Sequence, residues 1–260
     1  MIINLYKHRA YIWHNAWAEL RTQYAGSSLG GLWAILEPLA MIAVYTIVFT
    51  TVMGDIRGPR DGIPFAVYLC SALLPWLALS ECMMKGMNSF TSNATYLKKL
   101  PIPEQIFVAK SALSSFFNLV IAIVLLLIIA MLLGVGPTWH WLLLPIPLVL
   151  MMGLGFGVGL GLGTIMVFIR DLGQLVPVIL RVGFWAYPVV YQREDLPDWA
   201  QNALPYNPAY PFLETIRSLV LWETIPGPGL WAAMVFWAFI APVLGYLILR
   251  KLRPEIRDVL

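Results

Sequence analysis

Six apolar runs, at 29–53, 63–84, 106–133, 141–169, 174–191 and 229–249, take up most of a 260-residue chain. Each comes close to or exceeds the roughly 20 residues that a helix needs to cross a hydrocarbon core of about 30 Å. Backbone in such a core must satisfy its own polar groups, so helices are the expected form. The expectation is an all-α integral membrane protein with six transmembrane helices. Composition agrees, at 60% hydrophobic and 12% charged residues against about 25% charged in a soluble domain. The connections 54–62 and 134–140 are short, which predicts antiparallel neighbours, whereas 192–228 is long.

Basic residues orient the spans. On one side lie Lys7, Arg9, Arg21, Lys85, Lys98, Lys99, Lys110, Arg170, Arg250, Lys251, Arg253 and Arg257, twelve in all. The other side has four, Arg57, Arg60, Arg193 and Arg217, and Arg181 falls within the fifth run. Loops rich in Lys and Arg stay in the cytoplasm, so both termini are expected there. The net charge of +3 is spread between apolar runs rather than gathered on one segment, which argues against nucleic acid. Residues 1–28 lack the apolar core and small-residue cleavage site of a secretory leader, so the chain is expected to be retained whole.

Residues 4–25, within the segment 1–28, read as an amphipathic interfacial helix. Ile12, Trp13, Ala16, Trp17, Leu20 and Tyr24 share one face, and Lys7, His14 and Arg21, seven apart, line the other. Aromatics opposite bases suit the headgroup layer. On the outer side, Pro197, Pro205, Pro208, Pro211, Pro226 and Pro228 forbid one continuous helix over 192–228. Two short helices, 197–204 and 209–222, are predicted there as a re-entrant hairpin, with a plain surface loop as the alternative.

In "GLGFGVGLGLG", 153–163, Gly153, Gly157 and Gly161 form one row at helical spacing, and Gly155, Gly159 and Gly163 form another. Two such rows permit close helix contact on two sides. No strand precedes the run, so it is not a nucleotide-binding loop. Ionisable residues inside spans are functional candidates, since each costs about 2.5–3.5 kcal/mol on insertion scales. Glu37, Glu81 and Arg181 qualify, and Glu81 is placed one turn before Lys85 to pair with it. His8, His14 and His140 are too scattered for a metal site, and the chain contains no phosphate-binding loop. No catalytic residue and no metal ligand is expected. Cys70 and Cys82, about 18 Å apart along one helix, cannot bridge. Trp185, Tyr187, Tyr191, Tyr206 and Tyr210 converge on the outer side, either as an ordinary aromatic belt or as a stacking surface for sugar rings.

The polar segment "NSFTSNATYLKKLPIPEQ", 88–105, interrupts the apolar pattern between the second and third spans. Together with "YAGSSLGGLWAILEPLAMIAVYTIVF" (24–49), "SALLPWLALSECMMKGMNSFTSNATYLKKLPIPEQI" (71–106), "FIRDLGQLVPVILRVGFWAYPVVY" (168–191) and "LPYNPAYPFLETIRSLVL" (204–221), it resembles the permease subunits of ABC-2 type polysaccharide exporters. These are the capsule, O-antigen and teichoic-acid exporters. The resemblance covers essentially the whole chain as one transmembrane domain, 1–260: interfacial helix to 28, five spans over 29–191, a periplasmic re-entrant hairpin at 192–228, a sixth span at 229–250 and a cytoplasmic tail at 251–260.

That resemblance implies a homodimer in the bacterial inner membrane, carrying two copies of a cytoplasmic ABC ATPase. ATP and Mg²⁺ belong to the ATPase, and this chain is expected to hold no cofactor and no enzymatic activity of its own. The substrate implied is a lipid-linked polysaccharide, with capsular polysaccharide favoured over O-antigen or teichoic acid. Capsule exporters further imply a periplasm-spanning inner-membrane protein and an outer-membrane export protein as partners. Carried onto this sequence, the coupling helix is expected at Ser92–Leu100, with Thr91, Ser92 or Asn93 as its N-cap and Pro101 as its stop. Tyr96, Leu97 and Leu100 would seat in the ATPase, and Lys98 and Lys99 would meet acidic residues or lipid phosphate. Glu37 and the aromatic cluster are the candidates for the substrate path. Two competing readings are an ABC-2 lipid or drug efflux permease and an ion-coupled secondary transporter built on Glu37 and Arg181.

Overall fold

A computed structural model describes residues 1–23, 26–48, 64–99, 101–191, 193, 196–222 and 224–259. Tyr24, Arg57, Arg60, Leu100 and the end of the first apolar run, 49–53, lie outside the described residues. Eleven α-helices are found among those described: α1 Ile2–Lys7, α2 Arg9–Thr22, α3 Trp33–Ile47, α4 Phe65–Ser92, α5 Ala94–Lys99, α6 Gln105–Leu132, α7 Pro145–Met166, α8 Leu172–Trp185, α9 Asp198–Ala203, α10 Tyr210–Arg217 and α11 Pro228–Val259. No β-strand occurs among them.

Among the described residues, five helical stretches are long and apolar enough to cross a membrane: Gly30–Ile47, Phe65–Ser92, Gln105–Leu132, Trp139–Met166 and Pro228–Ile256. The chain is therefore a multi-pass membrane protein. The fifth apolar run, 174–191, departs from the six-span expectation. Its helix α8 has 14 residues, about 21 Å, which falls short of a bilayer core. Apolar content continues to Val190, but Pro188 lacks the N–H that would extend the helix, and the chain turns over 186–191 instead. The last run behaves oppositely. The helix α11 continues to Val259, through Pro242 and Pro254, so the expected tail is helical.

The bundle is organised around α7. The Gly153 row faces α11: a Cβ on Gly157 would land on the Pro242 nitrogen and the Ala241 carbonyl carbon, and one on Gly153 would lie 3.2 Å from the Ala238 oxygen. Pro242 deprives that same carbonyl of its helical N–H donor, which leaves it free to lean on glycine backbone. The Gly155 row faces α4, where a Cβ would meet Cys82 Sγ at 2.7 Å from Gly155, Gly86 Cα at 3.1 Å from Gly159 and the Gly86 oxygen at 2.8 Å from Gly163. Both glycine faces are thus occupied by other helices of the same chain, as the spacing predicts. Cys70 and Cys82 are buried, unbridged thiols.

The N-terminal segment is two helices, broken at His8 (φ −104°, ψ 18°). Ile12, Ala16 and Leu20 are buried, and Lys7, His14 and Arg21 are exposed, matching the two faces read from sequence. Trp13 and Trp17 stay half exposed while their rings pack edge-on against Phe117 of α6, at 5.2 and 5.7 Å. Beyond α8, both short helices appear near the predicted positions. The second of them, α10, is inserted against α4, α7 and α11 with Phe212, Leu213 and Ile216 buried. A surface loop is thereby excluded for 210–217.

Candidate functional site

At one end of the bundle α4 runs through Ser92, and Asn93 (φ −113°, ψ 21°) turns the chain into α5. Thr91 and Ser92 therefore end α4 rather than cap α5, and the Thr91 hydroxyl donates back to the Asn88 carbonyl at 2.9 Å. Asn93 begins α5 through its carbonyl, which accepts the Tyr96 and Leu97 N–H groups at 3.0 Å each. Its side chain is engaged elsewhere. The amide donates to the Ser89 carbonyl at 2.7 Å, and the amide oxygen accepts from Lys110 Nζ at 3.2 Å. The helix stops before Pro101, as expected.

A helix this short lying across the ends of others must bury one side, and Leu97 is that side. It is 0% exposed, among Phe90 of α4, Phe107 and Val108 of α6, Leu160 of α7, Val167, and Leu249 and Ile256 of α11. This corrects its expected place on a docking face: Leu97 roots α5 in the chain's own core. Tyr96 is 57% exposed, with Lys98 and Lys99 exposed beside it. Below the root, the buried Glu104 carboxylate meets Arg253 Nε at 3.0 Å, tying the start of α6 to α11.

Next to this end lies a polar network across α2, α4 and α6. Glu81 and Lys85 pair at 2.6 Å, as the i,i+4 spacing predicts. Asn118 donates to Glu81 at 3.0 Å, Lys85 to the Gln23 side-chain oxygen at 3.2 Å, and Ser111 to Glu19 at 3.4 Å, while Lys110 lies 3.6 Å from Glu19. Sequence reading missed Glu19, Gln23 and Asn118, although a lone Asn in the middle of an apolar run was the available signal for the last. A cavity of about 410 Å³ adjoins the network, bordered by Glu37, Glu81, Lys85, Gln23 and Asn118 with apolar walls from Met41, Leu74 and Leu77. Glu37 itself is exposed on the chain's surface, as is Arg181 on α8.

At the opposite end of α4 the aromatic cluster divides. Tyr187 and Tyr210 are buried. Tyr187 donates to the Asn207 side chain, packs at a tilt against Trp76 with ring centroids 4.6 Å apart and is 7% exposed, so its ring is not open to a ligand. Trp185 is 64% and Tyr206 81% exposed, and the partly covered Tyr191 donates to the Trp185 carbonyl at 2.8 Å. Sequence reading took Arg217 for a loop cation, yet it is 3% exposed and organises this end. It donates to the Pro188 carbonyl at 2.6 Å, to the Val189 carbonyl at 3.1 Å and to the Tyr68 hydroxyl at 3.1 Å. Tyr68 in turn donates to the Tyr191 carbonyl at 3.0 Å. The turn left open when α8 stops is thus fastened to α4 and α10 through one guanidinium.

Comparison with known proteins places this architecture. The ABC-2 type transporter family profile matches residues 10–221. The O-antigen export system permease protein RfbA of Myxococcus xanthus is 28% identical over 229 residues, 87% of this chain and 86% of its own length. One from Klebsiella pneumoniae is 25% identical over 244 residues, covering 93% and 92% of the two chains. The polysialic acid transport protein KpsM of Escherichia coli is 24% identical over 204 residues, 78% of each chain.

Proposed function

This chain belongs to the ABC-2 type transporter family, and from that premise we propose that it is the permease subunit of an ATP-driven polysaccharide exporter in a bacterial inner membrane. Relatives named for O-antigen export and for polysialic acid transport share a polysaccharide as cargo, and the reading takes that class, lipid-linked, as the substrate. The observation that carries it is the α5 end: an exposed Tyr96 with Lys98 and Lys99, on a helix rooted by Leu97 among α4, α6, α7 and α11. A push on so short a helix enters a core cluster that four long helices share. Two copies of a cytoplasmic ABC ATPase supply that push, with ATP and Mg²⁺ on their side, and both termini of the permease lie in the cytoplasm, α8 and the turn after it making the sixth crossing.

The active form is a homodimer. Glu37 on α3 and Arg181 on α8 are exposed on the single chain, and charges at membrane depth face protein or a water-filled path rather than lipid. The faces of α3 and α8 therefore meet a second copy across the glycan path. Of the aromatic cluster read from sequence, Trp185, Tyr191 and Tyr206 keep accessible rings near its outer mouth.

Truncating an interface aromatic costs about 2 kcal/mol, roughly a 30-fold loss of affinity. Tyr96→Ala should thus lower stimulation of the co-expressed ATPase by about that factor while the permease stays monodisperse in detergent. Full stimulation would refute the assignment of α5. Replacing Trp185 and Tyr206 together with Ala should cut surface glycan several-fold with the permease level unchanged. Undiminished glycan would return both rings to the membrane belt.

A further inference from the structure

The helix α11 is longer than a membrane requires. Its 32 residues span about 48 Å, against about 30 Å of hydrocarbon, and the excess emerges at the α5 end. The projecting turns are held upright. Leu249 and Ile256, 1% and 0% exposed, turn inward onto the cluster that seats Leu97, and Arg253 closes on Glu104. A helix end meant to lie on the membrane would turn such apolar residues toward lipid instead. With the apolar side committed inward, Arg250 and Lys251 are left exposed. They join Lys98 and Lys99 of α5 around one core cluster, with Glu255 as an exposed counter-charge beside them.

We propose that the end of α11, over residues 250–256, is a second docking element that binds an acidic face of the cytoplasmic ATPase subunit alongside α5. The inference rests on the functional reading above, and its surface is continuous with the docking helix which that reading assigns. The contact is electrostatic where that of Tyr96 is not, so it sets the association rate and salt dependence of the complex. It also gives the ATPase a grip on the helix whose other face is locked to α7 through Gly157 and Gly245.

The test uses the full-length permease with its co-expressed ATPase subunit. The double variant Arg250→Glu, Lys251→Glu should lower ATPase co-purification at low salt about tenfold, equivalent to about 1.4 kcal/mol, and flatten the salt dependence seen with wild type. Because Cys70 and Cys82 are buried, Lys251→Cys gives a selective label site. A fluorophore there should shift on adding the ATPase to permease in vesicles of zwitterionic lipid. Normal co-purification by the double variant, or a fluorophore that responds to anionic vesicles and not to the ATPase, would overturn the proposal. If wild type itself fails to bind the ATPase, the functional reading falls together with it. If wild type binds, Tyr96→Ala impairs binding and the double variant does not, only this proposal falls.

Discussion

Gly157→Leu is expected to abolish accumulation of folded permease. A Cβ at this position lands on α11 backbone, the Pro242 nitrogen and Ala241 carbonyl carbon, and a Cβ on Gly245 of the same helix would in turn land on the Gly157 carbonyl oxygen. A side-chain neighbour can change rotamer, but backbone facing backbone can only move the helices apart. Overpacking in a core that can adjust costs about 1–3 kcal/mol, and separating α7 from α11 exceeds that range because it also opens the contacts of Gly153 and Gly161. Gly161→Ala is the control, since its Cβ would meet Ile248 Cδ1 at 3.5 Å and Gly245 Cα at 3.6 Å, ordinary van der Waals contact. Size-exclusion profiles of detergent extracts should show a monodisperse peak for wild type and Gly161→Ala and an aggregated or missing one for Gly157→Leu. A normal peak for the leucine variant would refute the close-packed arrangement of α7.

Arg217→Met should be nearly as damaging, through lost hydrogen bonds rather than steric clash. The Pro188 and Val189 carbonyls would keep their burial and lose their donor, at about 1–3 kcal/mol each. A combined cost of about 3 kcal/mol lowers the melting temperature by roughly 5–10 °C for a chain of this size. The planar guanidinium serves two carbonyls and the Tyr68 hydroxyl at once, a fork that an ammonium cannot reproduce. Arg217→Lys should therefore melt well below wild type, and limited proteolysis should cut first within 186–191. A lysine variant with wild-type melting and wild-type digestion would show that the clamp contributes little.

Much of this architecture is written in short-range patterns. The i,i+4 spacing of the glycines in 153–163 assigns two contact faces to α7, because any helix places such residues in rows whatever it meets. The pairing of Glu81 with Lys85 follows from the same geometry, as does the buried face of α2, whereas the stops before Pro101 and Pro188 follow from proline's missing N–H. The length of α8 is legible as well, because Pro188 shortens a helix that apolar content alone would carry to Val190. Leu97 and Arg217 were not legible. A six-residue helix with Tyr, Leu and two Lys can turn any side inward, and the choice fell to a core cluster that includes Phe90, Phe107 and Ile256, from three different helices. The partners of Arg217 lie 28 to 149 positions away, so nothing in its neighbourhood distinguishes it from an ordinary outer-loop cation.

From the sequence alone it follows that this chain is a bundle of membrane helices, that no single helix covers 192–228, and which faces of α7 admit close neighbours. These depend on periodicity, proline chemistry and the cost of burying charge in lipid, all local in the chain. The burial of Leu97 as the root of α5, the fastening of the turn after α8 by one arginine, and the meeting of α5 and α11 in one core cluster come from the packed molecule alone. Each of these depends on which distant side chains arrive to share a core, and that is settled when the helices pack against one another.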